Sequence, residues 1–293
     1  MKVRAAALKH FDRSRAKETH YSVRGSAGQP KVIGSDGVGQ LSDGRRVYAI
    51  GLGGMIAEKA LVDETRLVDV PGGLDDVTAA ALPNAVIGSA MGLLHRARMN
   101  RGDTVLINGA TGFTGRVAVQ MAKYYGAGKI VVTGRNPRSL QSLLKLGAEE
   151  IIPISQDEAV FTSQLKNSHS RAPFDVIIDY LWGRSAELIL SSLGGEGSFT
   201  HRTRFVSIGA ITGDIIRLSA ENLRSVDLRI SGSGLGSWTP DQVRELFTDI
   251  LPTAFRLASE HRLVIDTIPV ALEDIERIWD MDISDGRRLV VTM

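Results

Sequence analysis

The strongest chemical signal in the chain is Asn108-Gly109-Ala110-Thr111-Gly112-Phe113-Thr114-Gly115. It follows the apolar run Thr104-Val105-Leu106-Ile107 and opens a helical pattern from Phe113 to Tyr124. A glycine-rich turn between a strand and a helix is the context in which dinucleotides are bound. Gly109 permits the tight turn, Gly112 lets the backbone approach a pyrophosphate, and Gly115 lets the helix pack close to the sheet. The helix N-terminus then offers free N–H groups and the positive end of its dipole to the phosphates. On this reading Ala110, Thr111, Phe113 and Thr114 join the glycines as cofactor contacts.

The second strand decides which nicotinamide cofactor fits. A site that prefers NAD places Asp or Glu about 20 residues past the fingerprint, on the ribose 2′-hydroxyl. Here that stretch reads Thr133-Gly134-Arg135-Asn136-Pro137-Arg138, and no acidic residue occurs from Lys129 to Ala148. The forked guanidinium of Arg135, with Arg138 beside it, suits a 2′-phosphate. Gly134, Arg135, Asn136 and Arg138 are therefore expected to contact NADP(H). Tyr180, Gly209 and Ala210, at the ends of later strands, are assigned to the same crevice. Gly232-Ser233-Gly234-Leu235-Gly236 reads either as the nicotinamide end of that crevice, through Gly232 and Ser233, or as a simple loop. Gly51-Leu52-Gly53-Gly54 precedes a strand-like run at Ala57–Val62 and reads as a barrel turn.

Composition removes several other chemistries. The chain has no cysteine, so disulfides, thiol nucleophiles and thiolate-ligated zinc are excluded. Its 35 basic and 33 acidic side chains leave a net charge of +2, which gives no electrostatic case for nucleic acid or an anionic membrane. The basic stretch Met1–Arg24 lacks the long apolar core of a signal peptide, and Asp12 and Glu18 argue against a transit peptide. Val77–Leu94 is uncharged, but Pro83, Asn84, Gly88, Ser89 and Gly92 make it a poor membrane span. A cytoplasmic protein is expected.

The elements that must position these residues fall into three zones. Met1 to about Leu82 reads as short strands and turns, with Asp43-Gly44 ahead of the strand Arg45–Ile50. From Asp103 strands and helices alternate, including a helix from Pro137 to Leu146 stopped by Gly147 and a long helix from about Pro240 to Glu260. That alternation predicts an α/β protein with a doubly wound parallel sheet. The tail, Leu263–Met293, gives a strand, a helix at Leu272–Met281, an Asp285-Gly286 turn and a closing strand Leu289–Thr292, and it must return to the first zone to bury itself. Two domains follow: 1–82 with 261–293, and 83–260.

Taken in order, these landmarks resemble the zinc-less quinone-oxidoreductase branch of the medium-chain dehydrogenase/reductase superfamily. The residues that carry the resemblance are Ala79–Pro83, Gly102–Ile107, Gly147–Ile152, Asp175–Asp179, Phe205–Gly209 and Gly286–Val291. The resemblance implies a Rossmann domain that binds NADP(H) and a β-rich, GroES-like catalytic domain. Zinc-dependent relatives carry Gly-His-Glu where this chain has Gly34-Ser35-Asp36, so the metal-binding histidine is missing. The segment Val3–Asp12 resembles one that relatives reach after their opening strands, so the catalytic domain is expected to be shortened at its N-terminus. The implied chemistry is hydride transfer to a quinone or an α,β-unsaturated carbonyl, which needs a hydrogen-bond donor at the developing oxyanion. Lys9, Tyr48 and Asn84 are the candidates. The edge strand Leu228–Gly232, which the family pairs across a two-fold axis, leads us to expect a homodimer.

Two other readings stay open. A short-chain or extended reductase can carry a similar fingerprint, but here the only Tyr-x-x-x-Lys match of interest, Tyr125 to Lys129, is broken by Gly126 and Gly128 and runs into the second strand. A non-catalytic NADPH-binding sensor is the third. The missing histidine and absent cysteines generate the first prediction: exhaustive chelation should leave any NADPH-oxidising activity unchanged. Loss on chelation with recovery on adding zinc would contradict it.

Overall fold

The computed structural model describes residues 1–18, 31–194, 200–281, 283 and 285–293, so residues 19–24 of the basic opening stretch lie outside it. In chain order its strands are β1 (Lys2–Leu8), β2 (Asp36–Gln40), β3 (Arg46–Gly51), β4 (Val62–Asp69), β5 (Thr104–Asn108) and β6 (Lys129–Gly134). They continue as β7 (Glu150–Pro153), β8 (Val176–Asp179), β9 (Thr203–Ser207), β10 (Leu228–Gly232), β11 (Thr267–Ala271) and β12 (Arg288–Thr292). The chain divides into two compact units, Met1–Asn84 with Val243–Met293, and Ala85–Gln242.

The first unit is built on a mixed sheet in the order β11-β12-β1-β2-β3-β4. Its centre is β1, antiparallel to both β12 and β2. Alanine favours helix, yet Ala5-Ala6-Ala7 forms a strand because both of its edges are paired and Ala5 to Leu8 are buried. Val3, Ala6, Leu8, Leu289 and Val291 pack with Met55, Ile56 and Ile278 as one apolar cluster. The tail thus returns to the first zone through β12, as its sequence requires.

Four expectations for this unit need correction. Ala57 to Leu61 is not a strand. Its backbone answers the start of β1 group by group, with Val3 N–H bonded to Glu58 O and Ala60 N–H to Met1 O, and the regular strand starts at Val62. The helix at 272–281 is a 3-10 turn, Leu272–Asp274, followed by a single helical turn, Ile275–Ile278. The zone of short strands also contains a helix, His10–Ala16, entered through Lys9 with Asp12 at its third position. Finally, Val243–Glu260 groups with the first unit, whereas the sequence reading carried the nucleotide domain to 260. Phe255, fully buried, meets the Tyr48 ring edge-on at 6.1 Å, which ties this stretch to β3. The long helix itself is continuous but includes a π-helical stretch, Leu246–Ile250, between Pro240–Glu245 and Leu251–Ser259.

The second unit is a six-stranded parallel sheet in the order β10-β9-β8-β5-β6-β7. The chain starts in the middle at β5, winds outward to β7, then returns to β8 and winds outward the other way. This is the doubly wound Rossmann order, and its switch point lies between β5 and β8. All five residues of β5 and all four of β8 are buried, as strands covered by helices on both faces must be. The helices Phe113–Tyr124 and Pro137–Leu146 have the predicted bounds, and Gly147 ends the second in a left-handed conformation, φ 116°. The helix running from Asp76 to Arg96 is long and apolar enough to cross a membrane, but 67% of its apolar window is buried within the protein. Gly88 and Gly92 bring it close to Ile208, where a Cβ on Gly92 would sit 2.8 Å from the isoleucine Cδ1.

Candidate functional site

A parallel sheet puts the C-terminal ends of all its strands on one edge. Every residue assigned to the cofactor from sequence stands along that edge of the second unit: Gly109–Thr114 after β5, Gly134 to Arg138 from β6, Tyr180 after β8, Gly209 and Ala210 after β9, and Gly232 and Ser233 from β10.

The fingerprint glycines differ in why they are glycine. Gly109 has φ +84°, so an L side chain there would be strained. Gly115 packs against backbone: a Cβ would lie 2.5 Å from Ala110 Cα and 2.7 Å from Gly109 O. Gly112 is exposed, and among the described residues nothing lies within 4 Å of its Cβ position and no side chain caps the helix it starts. Open space in front of an uncapped helix N-terminus suits a phosphate. Gly134 and Gly209 serve close approach, to the Thr111 side chain and to Tyr180 O respectively.

Arg135 and Arg138 are exposed at the start of the next helix, and neither has a hydrogen bond or ion pair among the described residues. Asn136 caps that helix, its Oδ1 accepting from Ser139 N–H at 3.0 Å. An open glycine, an uncapped helix N-terminus and two guanidinium groups unpaired among the described residues are features that suit a nicotinamide dinucleotide. Ser233 is buried and its hydroxyl accepts from the Trp238 indole at 3.2 Å, so it also holds the 233–238 loop. Burial raises the pKa of Tyr180, whose buried hydroxyl has no hydrogen-bond partner among the described residues.

Sequence reasoning missed a polar network beneath the fingerprint. Asn108, Thr133 and Asp179 are fully buried, and Asn108 Nδ2 donates to Asp179 Oδ1 at 2.7 Å and to Ser185 Oγ at 3.0 Å. Burial pushes the Asp179 carboxyl up to about 6, against the opposing pull of the Asn108, Leu181 and Trp182 donors. The available signal was a polar residue closing each of two apolar strand runs.

In the first unit the structure brings Lys9 and Tyr48 together but leaves Asn84 apart. Lys9 Nζ pairs with Asp36, lies 3.2 Å from Asp12 Oδ2 and donates to Ala7 O at 3.2 Å. Tyr48 donates its hydroxyl to Asp36 Oδ2 at 2.7 Å, and Ser35 Oγ donates to the other carboxylate oxygen at 3.0 Å. Arg288 is also buried, its charge acting on Asp12 and Asp36, so two cations meet two anions. Burial lowers the Arg288 pKa to about 10. For Lys9, burial lowers the pKa but Asp12 and Asp36 outweigh it, and the net direction is up. Burial, then the Asp36 charge, raises Tyr48 well above its ordinary value. Lys9 and Tyr48 are 2% and 0% exposed, so as described their polar atoms join β1, β2, β3 and the His10–Ala16 helix rather than face solvent. Asn84 lies on the Asp76–Ala90 helix, with no hydrogen bond to the cluster. Sequence gave no sign of Asp12, Ser35 or Arg288 as partners, because they converge only through sheet pairing and helix capping. Among the described residues no group of three or more metal-binding side chains is assembled.

The balanced cluster generates the second prediction. Lys9→Met leaves Asp12 and Asp36 buried without their central cation and should cost about 3–5 kcal/mol. Because the folded pKa of Lys9 is raised, its contribution is complete below the ordinary lysine value and is lost as pH climbs through the folded one. Thermal melts should show a wild-type advantage that is constant through neutral pH and shrinks only in the strongly alkaline range. Equal melting temperatures at pH 7 would refute this.

Comparison with known proteins places this geometry. A family model described as zinc-binding dehydrogenase matches residues 114–251. The chain is 32% identical over 242 residues to the mycocerosic acid synthase-like polyketide synthase of Mycobacterium tuberculosis, covering 80% of this chain and 11% of that protein. It is 32% identical over 164 residues to the quinone oxidoreductase of Rattus norvegicus, covering 58% of this chain and 49% of that one. The matched regions therefore span about half or less of these relatives' own lengths. The solved quinone oxidoreductase of Thermus thermophilus, described also in complex with NADPH, superposes with a TM-score of 0.77 at 25% identity, covering all of this chain and 90% of that one.

Proposed function

The chain belongs to the zinc-less, quinone-oxidoreductase-like branch of the medium-chain dehydrogenase/reductase superfamily, and from that premise we propose that it is an NADPH-dependent, metal-independent oxidoreductase. The acceptor is a quinone or an α,β-unsaturated carbonyl compound. One observation carries the cofactor reading: the exposed, unpaired Arg135 one strand away from the open, uncapped helix N-terminus at Gly112. NADPH, when bound, supplies the hydride.

The protein's part is binding and orientation. The backbone N–H groups at the start of the Phe113–Tyr124 helix bind the pyrophosphate, with Gly112 allowing close approach. Arg135, with Arg138, takes the 2′-phosphate and supplies the preference over NADH. Gly209, Gly232 and Ser233 line the continuation of the same edge. We further propose a cytoplasmic homodimer. The β10 edge of the sheet, with no residue fully buried, supports pairing with a second copy, and light scattering at micromolar concentration should give twice the chain mass.

Titration should show NADPH binding far more tightly than NADH. Arg135→Ala should remove about tenfold to a hundredfold of NADPH affinity while leaving NADH unchanged. Equal wild-type affinities for the two would overturn the cofactor assignment. Steady-state NADPH oxidation against a panel of quinones and enones tests the activity, and turnover with none of them would refute the proposed reaction.

A further inference from the structure

Two turns bound the switch point of the second unit: residues 109–112 after β5, and residues 180–183 after β8. One buried carboxylate serves both. Asp179 Oδ1 accepts from Asn108 Nδ2 at 2.7 Å and from the backbone N–H groups of Leu181 and Trp182 at 3.1 and 3.2 Å; Oδ2 accepts from Trp182 N–H at 3.1 Å. On the other side of Asn108, its Oδ1 accepts the Thr133 hydroxyl at 2.6 Å, and Thr133 Oγ1 accepts Gly109 N–H at 3.2 Å.

The polarity of this chain is fixed from one end. An ionised carboxylate only accepts, so Asn108 must present its amide NH2 to Asp179 and its carbonyl to Thr133. The Thr133 hydrogen is then committed to Asn108, which leaves the hydroxyl lone pairs to face Gly109 N–H. Both turns need such restraint. Gly109 has φ +84°, and Trp182 adopts φ +59° and ψ −151°, a region that favours glycine. Trp182 is kept there by its N–H bonds to Asp179 and by its ring, edge-on to Phe205 at 6.0 Å.

We infer that Asp179, acting through Asn108 and Thr133, is a positioning residue for the nucleotide loop: it holds Gly109 and the Trp182 turn in the arrangement that accepts a pyrophosphate. This rests on the proposed nucleotide site. It adds that a carboxylate remote from the phosphate-binding N–H groups governs cofactor affinity. The relay ends at the first glycine of the fingerprint and does not include Arg135. The pyrophosphate half of the site depends on it and the 2′-phosphate half does not.

The test compares two probes on the full chain: NADPH, and 2′-AMP, which carries the 2′-phosphate without a pyrophosphate. Asp179→Asn keeps the shape but turns one acceptor oxygen into a donor facing Trp182 N–H. Thr133→Val removes only the hydroxyl, and it keeps the test decisive should Asp179→Asn fail to fold. Each variant should bind NADPH about tenfold more weakly, the loss expected for one network hydrogen bond, and bind 2′-AMP as wild type does. The double variant should be no worse than the more severe single one, because members of one relay do not add. Wild-type NADPH affinity in Thr133→Val would overturn the inference while leaving the nucleotide site standing. So would equal losses for both probes, the pattern of general loosening, or additive losses in the double variant. Failure of the wild-type chain to bind either probe would instead overturn the nucleotide reading, and the inference with it.

Discussion

The pairing of β5 with β8 is the constraint on which the nucleotide unit depends. Both strands are buried on both faces, so neither can close on a polar side chain without giving that side chain a partner. The register sets Asn108 directly beside Asp179, and the neighbouring strand supplies Thr133. The unit thus meets its burial requirement at the place where the chain reverses its winding. Hydrogen-bond satisfaction and site geometry are one requirement there. The same buried atoms that make the sheet end possible also fix the first turn of the fingerprint.

The first unit meets a similar demand with charge. Lys9 and Asp12 come from the cap and first turn of the His10–Ala16 helix, Asp36 from β2 and Arg288 from the closing strand β12, and their burial is tolerable because the charges balance and Tyr48, Ser35 and Ala7 O occupy further hydrogen-bonding positions. A buried ion cluster contributes little net stability compared with apolar packing, but it penalises any arrangement that separates its members. It therefore specifies how β1, β2 and β12 come together, in a sheet whose central strand offers three consecutive alanines, Ala5 to Ala7.

How legible the protein was from sequence follows from the range of the interactions. Strand–helix alternation, the Gly109–Gly115 turn between β5 and its helix and the Gly147 stop are local patterns, and each appears in the structure where it was read. Partners that meet only through the fold were not legible. Asp12 and Arg288 are 276 positions apart and converge through β1 and β12. Val243–Glu260 has the periodicity of a helix whichever unit it joins, and it is tertiary packing, of Phe255 on Tyr48 and of Leu246–Ile250 and Leu251–Ser259 on β4, that groups it with the first unit. The Ala57–Val62 run has strand-like residues, but Gly53 and Gly54 lead into it and its backbone is committed to Met1 and Val3. Lys9 and Tyr48 have the functional groups of proton donors, and burial is what redirects them.

The two unpaired guanidinium groups at 135 and 138 carry a consequence for ionic conditions. Both project into water, so their attraction for a phosphate acts through a screened medium with a Debye length of about 8 Å near physiological ionic strength. The N–H groups at the start of the Phe113–Tyr124 helix act at contact range and are far less sensitive to dissolved salt. On the proposed cofactor assignment, raising the salt concentration should erode discrimination between the two nicotinamide dinucleotides faster than it erodes the binding they share, which would make selectivity a property of the surrounding electrolyte as well as of the protein.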